Sequence, residues 1–478
     1  LGNTIENNGN LQFNGNLRFS NLYNKFGFLK KLNQPSRRIT GRDAAPKKGS
    51  KDDEKEKAKD TITVAQKIGN VMKTTGNTVV RLMISLKDAS LTYTDNRGTL
   101  LPGFMPEPTL LGNRLSDKAP GWGFVFGDQT DIRPAAVQNN WISTDTLLNS
   151  AYIQRISKHL SGRANLEPLP FLRIELTADR TEAINLQEYF KVGTDGNFAS
   201  FAPQQGGNFS MSYLMWNTAF TGDRKDHTSP VFETFKENRI IVARNLAKRD
   251  GRSQGFDSIG FPDGYGATSS EVLLFSFLST YSGRDPAKIS LNPFPAIPLP
   301  NWRITYNGLS ELPLMKKYFR TFTISHAYRS VYNVGSYLTN IEYNPNESNR
   351  DAAGNFIIEK RIDNITISEQ FSPLFNIDAT WTNSLLTRFE IRNTRNLSLS
   401  FVNNQLTEVK SKEYVLGLGY RIKDLKFIVI NIGGSGSRQR MNSELNLKLD
   451  ISMRNNKTVL RRIDEDVDQV SVGQRIMS

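Results

Sequence analysis

Large aliphatic and polar residues alternate without a break from Glu444 to Arg454. Leu445, Leu447, Leu449, Ile451 and Met453 interleave with Glu444, Asn446, Lys448, Asp450, Ser452 and Arg454. Successive side chains of a strand point to opposite faces, so this stretch predicts a strand with one apolar and one charged face. Alternation alone suits both a membrane barrel and a soluble sandwich, since each puts one face in a dry place. Length favours the barrel. Strands of soluble proteins usually end after about five or six residues, whereas ~10 residues tilted by ~40° cross an apolar band of ~25 Å. Charges of both signs on the wet face suit a water-filled lumen.

The same period recurs along the chain. Leu11, Phe13, Leu17 and Phe19 alternate with Gln12, Asn14, Asn16, Arg18 and Ser20. Val80, Leu82, Ile84 and Leu86 alternate next, and Leu91-Thr-Tyr-Thr continues the pattern, with a turn signal at Asp95-Asn-Arg-Gly. Leu172, Ile174, Leu176 and Ala178 are set against Arg173, Glu175, Thr177 and Asp179, and Phe209, Met211 and Tyr213 predict a partner strand. From Arg320 onward the chain reads as a meander, with Tyr414 to Ile422 another strand. Short turns at Asn393-Thr-Arg-Asn, Lys423-Asp424 and Arg454-Asn-Asn-Lys alternate with longer polar loops at 403–412, 431–443 and 463–469. Short connections on one side and long ones on the other are the habit of outer-membrane barrels.

Other stretches break the period. The run Lys47 to Asp60 mixes Lys with Asp and Glu and reads as a solvated loop, with a short helix expected over Val64 to Met72. Gly98 to Ser161 holds five prolines and a Gly121-Trp-Gly-Phe-Val-Phe-Gly127 stretch, which predicts an ordered irregular domain. Ser229-Pro230 with Glu233 starts a helix running to about Lys248. Ser269 or Ser270 caps another over Glu271 to Thr280, ended by Gly283, and Pro293 to Asn301 is an extended connector into Trp302, Ile304 and Tyr306. The expected layout is barrel strands over 1–97 with a charged loop at 21–77, and a Gly/Pro/aromatic loop domain over 98–165. Strands follow over 166–218, a helical insertion with its connector over 219–300, and a meander over 301–478 that lacks a closing strand.

Composition narrows the class. The chain has 478 residues, a formal charge of +14 and no cysteine, so disulfides, thiolate nucleophiles and Cys-ligated metals are excluded. No apolar run approaches the length of a transmembrane helix; the richest, Val272 to Leu278, is far too short and carries Ser276. The basic residues are spread out and largely paired with acids, which argues against a nucleic-acid partner. The chain opens on Leu-Gly-Asn-Thr and closes on Arg-Ile-Met-Ser, and reads as an internal piece of a longer protein.

No catalytic constellation is present, and neither an enzyme nor a cofactor is expected. His159, His227 and His326 lack paired ligand spacing, and His326 continues the Phe322, Ile324 face as a structural residue. Gly433-Gly-Ser-Gly-Ser lacks nucleophile-elbow spacing, and Gly417-Leu-Gly-Tyr lacks the third glycine of a dinucleotide fingerprint. Asp464-Glu-Asp-Val-Asp has hard oxygen ligands for Ca²⁺ but not the glycine and distal glutamate of an EF-hand, and reads as a solvated loop. Trp381, Tyr414 and Tyr420 are candidates for interfacial girdles, with ordinary packing as the competing role.

Four irregular strings resemble the SprA (Sov) family, the outer-membrane translocons of the Bacteroidetes type IX secretion system. They are Gly98-Thr-Leu-Leu-Pro-Gly-Phe-Met-Pro106, Pro120-Gly-Trp-Gly-Phe-Val-Phe-Gly-Asp-Gln129, Pro293-Phe-Pro-Ala-Ile-Pro-Leu-Pro-Asn-Trp-Arg-Ile-Thr-Tyr306 and Ser325-His-Ala-Tyr-Arg-Ser-Val-Tyr-Asn-Val-Gly-Ser-Tyr337. The resemblance covers most of the chain and matches the C-terminal part of that family. It implies an all-β fold, part of a very large transmembrane antiparallel β-barrel with long loops and a few short helices. It further implies a place in the cell outer membrane, export of folded protein cargo, and in some members support of gliding motility. The partners it implies are a PorV-type barrel, a periplasmic plug and the rest of the same polypeptide.

Independently of the resemblance, the wet-face residues Arg173, Glu175, Arg388, Glu390, Arg392, Lys448 and Asp450 are the candidates to line a lumen. The loops around Phe104, Trp122 and Phe126 are candidates for a cap or partner-docking surface, or these rings simply hold the loop together. Two other readings stay open: a different outer-membrane barrel such as a nutrient receptor, and a soluble, surface-exposed β-rich adhesin.

Overall fold

The computed structural model describes residues 2–25, 85–224, 228–252, 255–344, 346–430, 438–464 and 468–477. The charged run at 47–60, the helix expected over 64–72, the alternation at 80–84, His227 and the glycine-rich 433–436 lie outside the described residues.

Among the described residues thirteen strands form one antiparallel sheet. They are β1 (Asn3–Arg18), β2 (Leu86–Phe104), β3 (Tyr152–Leu169), β4 (Leu172–Val192), β5 (Phe198–Ser212), β6 (Asn301–Tyr306) and β7 (Phe319–Thr339), then β8 (Lys360–Ile362), β9 (Asn364–Trp381), β10 (Leu385–Ser400), β11 (Gln405–Ile430), β12 (Arg438–Arg462) and β13 (Asp468–Met477). Sequence neighbours are mostly sheet neighbours, with β1 and β13 at the two edges. The strands are long: β4 and β7 have 21 residues each and β11 has 26. No described helix is long and apolar enough to cross a membrane.

Directly opposed residues of an antiparallel pair share a face, so the register stacks side chains into rows across the wall. Phe389, Leu416 and Ile451 form one row, and Ile391, Tyr414 and Met453 the next. Above them come Asn393, Lys412 and Asn455, then Arg395, Lys410 and Lys457. At the other edge Phe13, Tyr93 and Leu160 align in the same way, with Asp95 and Lys158 one step higher. This face therefore carries an apolar band towards one end of the strands and a mixed, more polar zone towards the other. The reverse face is polar nearly throughout.

Several turn signals lie inside strands. Asp95 to Gly98 pairs continuously with both β1 and β3, so β2 runs on to Phe104 and the irregular segment spans 105–151 rather than 98–165. Asn393 to Asn396 and Arg454 to Lys457 are likewise fully paired, and Lys423-Asp424 falls at a register shift between Ile422 and Leu425. The physical reason is the length of the strands: they continue past the apolar band, where Asn and charged residues are ordinary ladder members. The expected alternation of short and long connections is also not seen among the described residues. Residues 382–384, 401–404, 431–437 and 463–467 are all short, and each end of the sheet has both long and short links.

One strand position is filled by two separate segments. β5 pairs with the far half of β4, and β6 with its near half, Thr177 facing Asn301. Against β7, Ser212 faces Val331 while Trp302 faces Tyr328. A single residue position on each neighbouring strand, Ala178 on β4 and Ser330 on β7, thus lies between the end of β5 and the start of β6, and residues 213–300 leave the wall and return at nearly the same point. The junction is knit by the Ser212 hydroxyl donating to the Leu299 carbonyl at 2.7 Å and the Ser330 amide donating to Asn301 Oδ1 at 2.7 Å.

That excursion forms a helical module. The short helices α1 (Phe19–Tyr23), α2 (Trp122–Val125) and α3 (Arg133–Gln138) precede its two main ones, α4 (Pro230–Asp250) and α5 (Ser270–Ser282); α6 (Pro313–Tyr318) follows. Ser229 caps α4 by accepting from the Phe232 amide at 3.4 Å, as its sequence predicts. Both α4 and α5 stop at a glycine in the left-handed region, Gly251 (φ 65°) and Gly283 (φ 68°). The helix α5 is buried on every side, which explains its unusually apolar sequence. Its Phe275 and Phe277 join Phe232, Phe235 and Leu246 of α4 in one core with Met211, Tyr332, Ile367 and Leu399 of the sheet. A smaller core joins the 105–151 module to Leu101 and Tyr152. By register these sheet residues lie on the face that carries the apolar band, so both modules cover its mixed end.

Candidate functional site

The polar face carries a continuous ion-pair ladder across four strands. Side chains two apart on a strand share a face, which sets Arg388, Glu390 and Arg392 side by side on β10. Arg388 lies 3.8 Å from Asp378 of β9 and 2.5 Å from Glu390. Arg392 contacts Glu390 at 2.6 Å and Glu413 of β11 at 3.3 Å, and Arg454 of β12 closes the series on Glu413 at 3.1 Å. Three cations alternate with three carboxylates, and Glu390 and Glu413 are almost covered by the guanidinium groups around them. Lys448 and Asp450 lie alongside, exposed, opposite Gly419 and Gly417. With Asp378 and Arg388 they rim a depression of about 260 Å³.

Arg173 and Glu175 pair with each other at 3.0 Å in the open, on β4, away from this ladder. Of the seven lumen candidates, the structure joins Arg388, Glu390 and Arg392 directly, sets Lys448 and Asp450 beside them, and leaves Arg173 and Glu175 apart. Towards β1 the polar face changes character. A trough of about 600 Å³ is lined there by Asn8, Asn10, Asn96, Asn185 and Asn208, with Arg155 among them.

On the other face the apolar band is uncovered. Leu416, Leu449 and Phe13 keep 48%, 51% and 56% of their surface exposed. Aromatic rings mark both of its borders on β7 and its neighbours. Phe319 packs on Trp381 at 4.3 Å at one border, and Trp302 stacks on Tyr328 at 4.5 Å at the other, joined by Trp216 and Phe371. From Phe319 to Tyr328 the strand climbs about 30 Å at ~3.3 Å per residue, or about 23 Å if tilted by ~40°. Trp381 thus sits in one aromatic border and Tyr420 is exposed on the same face. Tyr414 closes the band from the other side, under the Lys412 ammonium at 5.1 Å.

The modules are anchored by contacts that no local motif signals. Asn7 Nδ2 donates to the carbonyls of Phe124 (3.0 Å) and Asp128 (2.7 Å), and Arg133 pairs with buried Glu188 while stacking on Tyr152 at 4.5 Å. Phe104 is buried against Trp141 and belongs to the module core, which removes it as a docking surface. Trp122 and Phe126 stack on each other at 5.9 Å, and Phe126 is 77% exposed.

The helical module meets the wall through buried charge. Asp223 lies 2.6 Å from Lys457, 3.3 Å from Arg461 and 3.6 Å from Lys410. Arg395 donates to Glu408 at 2.7 Å and to the Thr218 carbonyl at 3.1 Å, with the Tyr281 ring 5.1 Å away. Burial pushes the Asp223 carboxyl up, but the Lys457 hydrogen bond and the nearby Lys410 and Arg461 outweigh it and hold it below the usual carboxylate range. Within the module, burial wins at Glu271 and raises its carboxyl in spite of Arg249.

Among the described residues no group of three or more His, Asp or Glu side chains is placed to hold a metal ion. His159 bonds Thr181 at 3.1 Å, and His326 bonds the Leu374 carbonyl at 2.7 Å inside the aromatic border. Comparison with known proteins finds no family model and no curated protein that matches this sequence.

Proposed function

We propose that this sheet is part of the wall of an outer-membrane β-barrel whose polar face lines an aqueous path for protein export, in a translocon of the SprA type. The observation that carries the reading is the pairing of faces on the same strands. Half-exposed aliphatic rows, bordered by aromatics, back directly onto a charge-balanced ladder. A soluble sandwich would cover those rows with a second layer, whereas lipid needs no layer at all.

The four strings that resemble the family support the same reading by their positions. Gly98 to Pro106 carries β2 into the first module, and Pro120 to Gln129 holds that module's grip on Asn7. Pro293 to Tyr306 is the helical module's return into β6, and Ser325 to Tyr337 is the stretch of β7 that receives both β5 and β6. They fall at the seams between wall and modules.

Transport follows from the ladder's balance. Alternating charges locked in pairs hydrate the surface without presenting a field of one sign, so cargo of either charge passes without being held. Recognition of cargo then belongs to the partners that the resemblance implies, a PorV-type barrel and a periplasmic plug. Cysteine labelling in intact outer membranes tests the assignment. A membrane-impermeant maleimide should modify Lys448→Cys and spare Leu449→Cys, and equal labelling of the two would reject it.

A further inference from the structure

We propose that the row immediately above the apolar band on β10–β12 is a binding site for the phosphate group of an anionic membrane lipid. The inference rests on the reading of that band as lipid-facing. Register places Asn393, Lys412 and Asn455 side by side directly above Ile391, Tyr414 and Met453. The next row, Arg395, Lys410 and Lys457, adds three more cations. Between these rows and the overhanging helical module, at Ala219, lies a cavity of about 280 Å³.

The charges around this cavity are unequal in how far they are satisfied. Glu369 is the carboxylate in its lining, and Tyr328 already donates to it at 2.9 Å. Lys410 and Lys457 are held by Asp223 and Glu408, and Arg395 by Glu408. Lys412 is exposed and, among the described residues, forms no ion pair; its ammonium rests over the Tyr414 ring. Asn393 and Asn455 flank it with amide donors. Four cations thus border a recess with one lining carboxylate, and the one cation left without a carboxylate points along the edge of the band.

Height decides the ligand class. A lipid that covers Ile391, Tyr414 and Met453 with its chains brings its phosphate to the level of Lys412, where a basic group near a membrane surface attracts anionic head groups. Phe220, 54% exposed and 5.0 Å from the Phe371 ring, stands beside the recess as an apolar wall for the upper part of a chain. The shared chemistry is a phosphate ester; free phosphate would satisfy the cations but leave the apolar neighbours unused.

The test is calorimetric titration of the chain in neutral maltoside micelles with short-chain phosphatidic acid, short-chain phosphatidylcholine and inorganic phosphate. Phosphatidic acid should bind, phosphatidylcholine should bind at least tenfold more weakly, and Lys412→Gln should weaken phosphatidic acid about fivefold. Lys288→Gln, at an exposed lysine of the module, should leave it unchanged. Unchanged affinity in Lys412→Gln would overturn the site. Inorganic phosphate binding as tightly as phosphatidic acid would overturn the lipid assignment. The band itself is checked separately, by labelling Leu449→Cys, the single cysteine of the chain, with a bimane fluorophore and quenching it with lipids that carry nitroxides on their chains. Quenching there combined with an indifferent Lys412→Gln sinks this site alone, whereas absent quenching sinks the band.

Discussion

Leu449 and Leu399 sit two strands apart on the same face of the wall, yet Leu449 is 51% exposed and Leu399 is fully buried. One lies in the uncovered apolar band and the other beneath the helical module. Both obey the same alternation, so the period of two reports only that a face is dry. What makes it dry differs: packed helices at one end and, in our reading, lipid at the other. The two ends also differ in how charge is used. Beneath the module Arg461, Arg395 and Glu408 are buried and locked to one another and to Asp223, while within the band the apolar face carries no charge among the described residues.

The largest effect is expected in the covered half. Phe277 is fully buried against Tyr281 (4.8 Å) and Phe235 (6.5 Å), so Phe277→Ala should cost about 3–5 kcal/mol. Hydrogen exchange should then show α4 and α5 losing protection while β11 and β12 keep theirs. An equal loss in both would make the two halves one cooperative unit and break the comparison. The uncovered half should respond to a different insult. Leu449→Arg should cost about 2–4 kcal/mol of folding free energy in a bilayer if Leu449 is near the midplane. Denaturant titration in liposomes measures it, and a cost near zero would say that lipid does not touch this row.

The smallest effect sharpens the seam between the halves. Asp223→Asn should loosen the module by about 1–3 kcal/mol through its hydrogen bonds to charged partners. The sign with pH follows from its depressed carboxyl. Its contribution is present above the ordinary carboxylate pKa of about 4 and is lost as pH falls through the lowered folded value. Exchange protection of α4 should therefore fall on acidification below pH ~4 in the parent chain. The Asp223→Asn chain should start weaker and lack this component.

Much of the wall was legible from the chain alone. Leu445 to Met453, Leu172 to Ala178 and Phe209 with Met211 are strands whose faces the alternation assigns without error, because each crosses a zone of uniform environment on each side. Ser229-Pro230 and Gly283 likewise marked helix ends, since capping is a local matter. Asn393, Asn396, Asn455 and Asn456 misled for a definite reason. Asparagine signals a turn when its own backbone needs a partner, and here both neighbouring strands supply one. Asp223, Asn7 and Glu188 were missed altogether. Their partners are 234, 117 and 55 residues away, and no periodicity spans such distances.

The split strand has a consequence for how such a wall can change. β5 contributes 15 residues and β6 contributes 6, together the length of β4 or β7, with the excursion tied off at Ser212, Leu299 and Asn301. The module is therefore a cassette whose two tails emerge from one stitch. A cut in a loop of the cassette leaves every strand of the wall continuous, but a passenger grafted at that stitch would have to cover Tyr332, Ile367 and Leu399 and supply a carboxylate for Lys457 and Arg461 as the present one does.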